Sequence, residues 1–220
     1  MLVMLNESLR IGISTRIVSA PDYNENRDAF SHDWPPFLEK IDIIPIFIPN
    51  TLGNVKTYLK NLKIDGLILS GGDNLGDFVL RDKTERKILE FSIEGKIPIF
   101  GVCRGMQIIN DFFGGTIIKT QNENHVAKTH PIELTKPEFS SFLNNKEIIV
   151  NSFHYNIIKK ENLGTGLEPF AFDSRDDTVE GFVHNDYPII GVMWHPERDP
   201  NLNNQSLIKK LFEEKIFWNK

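Results

Sequence analysis

The chain holds one cysteine among 220 residues, and its setting is the first place where chemistry could occur. Cys103 lies in Ile97-Pro98-Ile99-Phe100-Gly101-Val102-Cys103-Arg104-Gly105-Met106-Gln107. The β-branched, apolar run before it reads as a buried parallel strand. Met106, Ile108, Ile109, Phe112 and Phe113 then follow at helical spacing, and Gly114-Gly115 stops the helix. Cys103 therefore falls on a sharp strand-to-helix turn, and its flanking glycines suit a crowded backbone. This is the pattern of a nucleophile elbow with sulfur in place of oxygen. A helix N-terminus carries partial positive charge and unpaired N–H groups, both of which favour a thiolate. The backbone N–H of Arg104 points to where a developing oxyanion would sit. A small buried core cysteine is the competing reading of the same five residues.

A second group closes the apolar strand Ile189 to Trp194. His195 and Glu197 are two residues apart, so in extended chain they point to one side, and Pro196 stiffens the segment. A carboxylate beside an imidazole fixes its tautomer and stabilises the imidazolium. Cysteine, histidine and orienting acid are the parts of an acyl-transfer nucleophile system. A third group, Ser70-Gly71-Gly72-Asp73, follows another buried strand. An ordinary strand-end turn would explain His-Pro-Glu alone, but the joint occurrence at three strand ends is harder to dismiss.

The elements that must position these groups alternate. Strands are expected at residues 9–15, 43–48, 65–69 and 97–102, and helices at residues 51–63 and 82–95, the latter with Asp82 as cap and Gly95 as stop. Residues 17–36 and 76–83 read as loops, and Pro45 suggests an edge position or bulge. The alternation predicts an α/β fold, a central mostly parallel sheet flanked by helices, with ligands at the C-terminal strand ends. The second half predicts a smaller antiparallel region. Its strands are residues 115–119, 130–135, 147–151, 167–173, 178–184 and 189–194, the last three forming a meander. A helix over residues 203–218 closes the chain. Residues 1–220 read as a single domain.

Composition excludes several classes. The chain is 40% hydrophobic and 25% charged, with a formal net charge of −5. No clustered basic face suggests nucleic acid, and no apolar run approaches the ~20 residues of a membrane helix. The N-terminal residues turn polar too early for a signal peptide. One cysteine permits no internal disulfide, so a reducing cytoplasm is expected.

GVCRGMQ, with Gly71-Gly72 upstream and GVMWHPE downstream, resembles the class I glutamine amidotransferase family, whose fold is flavodoxin-like. The resemblance implies Cys103 as nucleophile, His195 as base then acid, and Glu197 as orienter. It implies an oxyanion hole from the N–H groups of Gly72 and Arg104, and contact of Gln107 and Gly71 with the glutamyl part of a substrate. Arg104 after the cysteine, and Asn151-Ser152-Phe153-His154, resemble the γ-glutamyl hydrolase branch. That adds His154 as a substrate-binding residue, although Asn156 departs from the branch's glutamine. Residues 73–76 also depart from the stretch typical of hydrolases of γ-glutamyl-γ-aminobutyrate. In size the chain is more similar to free-standing hydrolases of γ-glutamyl-CDP-amidate, on the route to capsule phosphoramidate. Such a diphosphate would need cations, for which Arg16, Lys119, Arg175 and Arg198 are candidates. The implied partner is a small γ-glutamyl molecule, with no cofactor, and oligomeric state stays open. A glutaminase subunit feeding ammonia to a separate synthase, or a non-catalytic binding member, are the alternatives.

The other histidines carry less. His125 and His130 fall in loop and strand, where spacing gives no shared face, so satisfied or exposed histidines are expected rather than a metal site. His32 and His184 read as loop and surface residues. Trp34 is a lid or a core anchor, and Asp176-Asp177 a solvated turn.

Overall fold

The computed structural model describes residues 8–120, 125–143, 145–199, 202–214 and 218. Its main sheet joins nine strands in the order β4-β1-β5-β6-β13-β12-β11-β8-β9. The first five are mutually parallel: β4 (Ile43–Ile48), β1 (Leu9–Ser14), β5 (Gly66–Leu69), β6 (Ile99–Val102) and β13 (Ile189–Val192). The remaining four extend it antiparallel: β12 (Val179–His184), β11 (Leu167–Asp173), β8 (Val126–Leu134) and β9 (Glu147–Phe153). The expected meander of β11, β12 and β13 is present. β4 is an edge strand, which is why Pro45 is tolerated there.

Strand period and helix period meet across two cores. In β6, Phe100 and Val102 face one cluster with Trp34, Leu207 and Leu211, while Ile99 faces another with Leu59, Ile88 and Met106. Thus α1 (Trp34–Glu39) and α6 (Leu202–Glu214) cover one face, and α2 (Val55–Leu62), α3 (Val79–Gly95) and α4 (Arg104–Phe112) the other. Burying a large aliphatic or aromatic side chain contributes roughly 1.5–3 kcal/mol, so these two layers hold the parallel strand ends in place. Among the described residues, no helix is long and apolar enough to cross a membrane.

Several expected boundaries move. Residues 17–36 are not a plain loop: β2 (Arg16–Ser19) and β3 (Asn26–Ala29) pair as a hairpin, and α1 follows. Pro35 and Pro36 occupy the first turn of α1, where missing N–H groups cost nothing. Trp34 is buried against Phe30 and Phe37, a core anchor. Helix α3 begins at Val79, inside the expected loop, so Asp82 sits in its first turn rather than at its cap. Its stop is Lys96 at φ 49°, one residue past Gly95. The expected strand at 115–119 shrinks to β7 (Ile118–Lys119), paired with β10 (Asn156–Ile157). A short α5 (Pro137–Phe142) was not foreseen. The end of the expected closing helix, residues 215–217, lies outside the described residues.

Candidate active site

Cys103 stands between β6 and α4 with φ 51° and ψ −103°. A non-glycine residue in such a conformation carries strain of roughly 1–3 kcal/mol, and it persists only where the surroundings impose it. Three contacts do so. The Cys103 N–H donates to Val192 O at 2.8 Å, and its carbonyl accepts from the Gln107 N–H at 3.1 Å. A Cβ on Gly105 would lie 2.0 Å from Leu69 O, so the start of α4 packs backbone to backbone on β5. The elbow is therefore held by the parallel sheet itself. Cys103 is buried and is the one free cysteine.

His195 leaves the end of β13. Its Nδ1 lies 2.7 Å from Glu197 Oε1, and the side chain of Cys103 acts on its other side. Burial opposes a charge on the imidazole, but the bonds to Cys103 and Glu197 outweigh it and lift its pKa to about 9. The backbone of His195 is clamped as well: Asn151 Nδ2 donates to His195 O and His195 N–H donates to Asn151 Oδ1, both at 2.8 Å. Asn151 had entered the sequence reading only within a motif; its two-sided grip on His195 needed the structure.

The glycine turn closes the third side. A Cβ on Gly71 would sit 2.8 Å from His195 Cε1 and 3.6 Å from Cys103 Cβ, so only glycine leaves the imidazole its place. Gly72 has φ +90°. The buried Arg81 accounts for the shape of this turn. It donates to the carbonyls of Ser70, Gly71 and Gly72 at 2.8, 3.0 and 3.1 Å, and to Asp73 at 3.0 Å. A trans peptide carries its C=O and N–H on opposite sides, so the N–H groups of Gly71, Gly72 and Asp73 face away from Arg81.

Arg104, the residue after the cysteine, turns its side chain away from the site. Its guanidinium is buried and pairs with Glu85 and Asp82 on α3. Glu85 also accepts from Arg81 at 3.0 Å and from Ser14 Oγ at 2.8 Å. Burial would raise the Glu85 pKa, but Arg104, Arg81 and the Ser14 bond prevail and keep it low. Ser14 Oγ in turn accepts from Ser70 N–H at 3.0 Å. One buried carboxylate thus links β1, the glycine turn and the elbow.

Beside these groups opens a cavity of about 250 Å³, lined by Gly72, Asn74, Cys103, Gln107, Asn156 and His195, among others. Gln107 projects from the first turns of α4. Its Oε1 accepts from Asn156 Nδ2 at 3.3 Å, and Asn156 also reaches Asn74 Oδ1 at 3.1 Å. Arg198 lies at the rim, over the ring of Phe153 at 4.6 Å, and Arg16 packs beside Gly72. The other two expected anion partners are elsewhere: Arg175 is held by the buried Asp173, and Lys119 does not line this cavity.

The remaining histidine expectations need correction. His125 and His130 are neither exposed nor fully satisfied; both are buried, each with one ring nitrogen lacking a partner. His184 is buried on β12, against Phe113 and Tyr187. Asp176 is not simply solvated, because it accepts from His125 at 2.9 Å. His154 lines the cavity but is buried, and burial lowers its pKa to about 3, so it stays neutral. Its Nδ1 bonds Asn156 O at 2.9 Å.

Comparison with known proteins identifies the family. The sequence profile described as Glutamine amidotransferase class-I matches residues 25–215. The chain is 36% identical over 210 residues to a gamma-glutamyl-CDP-amidate hydrolase of Campylobacter jejuni, covering 92% of this chain and 96% of that one. It is 35% identical over 123 residues to aminodeoxychorismate/anthranilate synthase component 2 of Bacillus subtilis, covering 54% and 60% of the two chains. In three dimensions it resembles a glutamine amidotransferase from Thermotoga maritima, with a TM-score of 0.67 at 14% identity, over 95% of this chain and 98% of that one. The chain belongs to the class I glutamine amidotransferase family.

Proposed function

We propose that this protein hydrolyses a γ-glutamyl amide, with Cys103 as nucleophile, His195 as proton carrier and Glu197 as its orienting acid. The observation that carries the reading is that Cys103 and His195 share the wall of a cavity that also presents Gln107, with His195 hydrogen-bonded to Glu197 behind it. An imidazole with a pKa of about 9 holds its proton at neutral pH, ready for a leaving nitrogen. The thiolate attacks the γ-carbonyl carbon, and the N–H groups of Gly72 and Arg104 receive the oxyanion. His195 then gives its proton to the leaving nitrogen as the C–N bond breaks. A thioester remains. His195 next takes a proton from water, the hydroxide adds, and glutamate leaves as the thiolate returns. A lost oxyanion donor typically costs ~10²–10³ in turnover.

We further propose γ-glutamyl-CDP-amidate as the substrate, with γ-glutamyl-γ-aminobutyrate next. The relative in Campylobacter jejuni, matched across nearly its whole length, supports this order. So do the surroundings: Arg198 at the rim and Arg16 in the adjoining pocket offer charge to a diphosphate, and the half-exposed rings of Phe153 and Tyr155 offer stacking surface to a base. A cytoplasmic setting suits a chain whose single cysteine must stay reduced. The alternative of an ammonia-delivering subunit is favoured by the similarity to the synthase component of Bacillus subtilis. The test is glutamate release from a panel of free glutamine, γ-glutamyl-γ-aminobutyrate and γ-glutamyl-CDP-amidate, with Cys103→Ala alongside. Release from the CDP-amidate well above glutamine, lost in Cys103→Ala, is expected. Glutamate from none of the three overturns the free-standing hydrolase, and release from glutamine alone redirects it to the subunit reading.

A further inference from the structure

Behind the cavity, three buried histidines converge on one buried carboxylate, and the cysteine chemistry uses none of them. His125 precedes β8, His130 lies within β8, His154 follows β9, and Glu180 is on β12. We propose that His125 Nδ1, His154 Nε2 and Glu180 Oε1 form a binding site for a divalent transition-metal cation, with Zn²⁺ the best match.

The outer nitrogens settle the argument. His125 Nε2 faces Asp176 Oδ2 at 2.9 Å, His154 Nδ1 faces Asn156 O at 2.9 Å, and His130 Nδ1 faces Asp173 Oδ2 at 2.9 Å. Carboxylate and carbonyl oxygens can only accept, so each ring carries its proton on the outside. In the neutral rings the inward atoms, His125 Nδ1, His130 Nε2 and His154 Nε2, are lone pairs. They surround Glu180 at 4.0, 3.8 and 3.9 Å, and none has a hydrogen-bond partner. Glu180 Oε2 is unpartnered too. Four buried acceptors with no donor among them is a costly arrangement. One proton on Glu180 could serve a single neighbour, and separations near 4 Å are too long for it to serve even that one.

A cation answers all of these features. Imidazole nitrogen with an outer carboxylate or carbonyl partner is the usual form of a zinc-ligating histidine. His125 Nδ1, His154 Nε2 and Glu180 offer one ligand atom each, all within 4.8 Å of one another. Ligand atoms around tetrahedral Zn²⁺ lie ~3.3–3.5 Å apart, so the two histidine–Glu180 separations of 4.0 and 3.9 Å would contract by about half an ångström, and the histidine pair by up to about 1.4 Å, to close the site. The rival set of His125, His130 and Asp173 is weaker, because Asp173 is already engaged by Arg175 and by the His130 proton. His130 Nε2 instead faces the second oxygen of Glu180. The cation would brace β8, β9 and β12, and through His154 and Asn156 the wall that carries Gln107.

The test is zinc binding to the full-length protein after chelator treatment, by calorimetry and elemental analysis. It is made on the Cys103→Ala background, so that the thiol cannot capture the ion. One Zn²⁺ per chain is expected, with Co²⁺ giving visible d–d bands. Glu180→Gln and His154→Gln should weaken binding on the order of 100-fold or more, and Asp176→Asn, which leaves every ligand in place, by ~10–100-fold. Circular dichroism checks folding; where Glu180→Gln or His154→Gln does not fold, Asp176→Asn decides. Absence of stoichiometric zinc in Cys103→Ala, or binding unchanged by these variants, overturns the site.

Discussion

Asn151→Ala separates positioning from packing at the proposed active site. Asn151 spans the backbone of His195 with two hydrogen bonds of 2.8 Å, one to its carbonyl and one from its N–H. Each is worth about 1 kcal/mol net, and a buried donor left without a partner adds to the loss. A stability cost of about 2–3 kcal/mol follows. The effect on turnover has a different origin. Without the clamp, His195 keeps Glu197 as its partner but loses the restraint on its backbone at the end of β13. A displacement near 1 Å costs ~10² in rate when reacting groups must meet in line. Gln107 and Gly72 are untouched, so KM should hold while kcat falls about 100-fold. The assay is steady-state glutamate release from the preferred substrate of the panel, with urea unfolding measured in parallel. Asn151→Asp retains the acceptor for the His195 N–H and should recover part of the rate. A folded Asn151→Ala protein with kcat within about twofold of the parent would refute the reasoning.

Three further outcomes follow from the same geometry. Gly105→Ala places a Cβ 2.0 Å from Leu69 O, backbone that cannot yield, so the protein should lose at least ~3 kcal/mol in urea or fail to fold. Arg104→Met removes one of the two cations that neutralise the buried Glu85 and should cost ~3–5 kcal/mol; a loss under ~1 kcal/mol would show the pair to be idle. The His195 ring should titrate near pH 9 by NMR, and Cys103→Ala should bring the midpoint down by removing one of its two raising partners. The sign for stability is fixed by that elevation. A pKa raised above the ordinary 6.5 gives stability that is whole below pH 6.5 and is lost as pH climbs through about 9. An unchanged midpoint in Cys103→Ala would deny the bond between the two side chains.

Much of the fold was legible because its signals were local. The run 97–102 is apolar on both sides, as a strand covered by two helical layers must be, and its residues 99–102 fold as β6 between β5 and β13. Of the elbow glycines, Gly101 was legible for the same reason, because a Cβ there would meet the backbone of Gly105 at 2.8 Å, whereas the clash that excludes a side chain at Gly105 comes from Leu69 on β5. The hairpin β2–β3 was not. Its strands, RIVS and NRDA, are four residues each and largely exposed, so they carry no alternation to read. Helix α1 was hidden by Pro35 and Pro36, which break a helix interior but suit its first turn. The buried histidines were missed because periodicity reports one element at a time, whereas their cluster assembles from strands far apart in sequence.

The side chain of Arg104 shows where motif reading stops. Its position after the nucleophile invites a substrate role, and an exposed arginine there could meet an anionic leaving group. Burial removes that option. A guanidinium already committed to Glu85 and Asp82 has no fork left for a diphosphate. Its charge instead completes the neutralisation of Glu85, which Arg81 begins from the other side. Arg81 and Glu85, four residues apart on α3, stand on one helix face. The expected loop at 76–83 hid that pairing, and its meaning depends on β1, β5 and β6 bringing Ser14, the glycine turn and the elbow to the same carboxylate. On the proposed function, contact with the leaving group would then fall to Arg198 at the cavity rim and to Arg16 in the adjoining pocket, both part-exposed and bordering Phe153 and the glycine turn respectively. Replacing Arg198 with Met should therefore raise KM for a diphosphate-bearing substrate while leaving KM for glutamine in place. Equal changes for both substrates would return the discrimination to another part of the site.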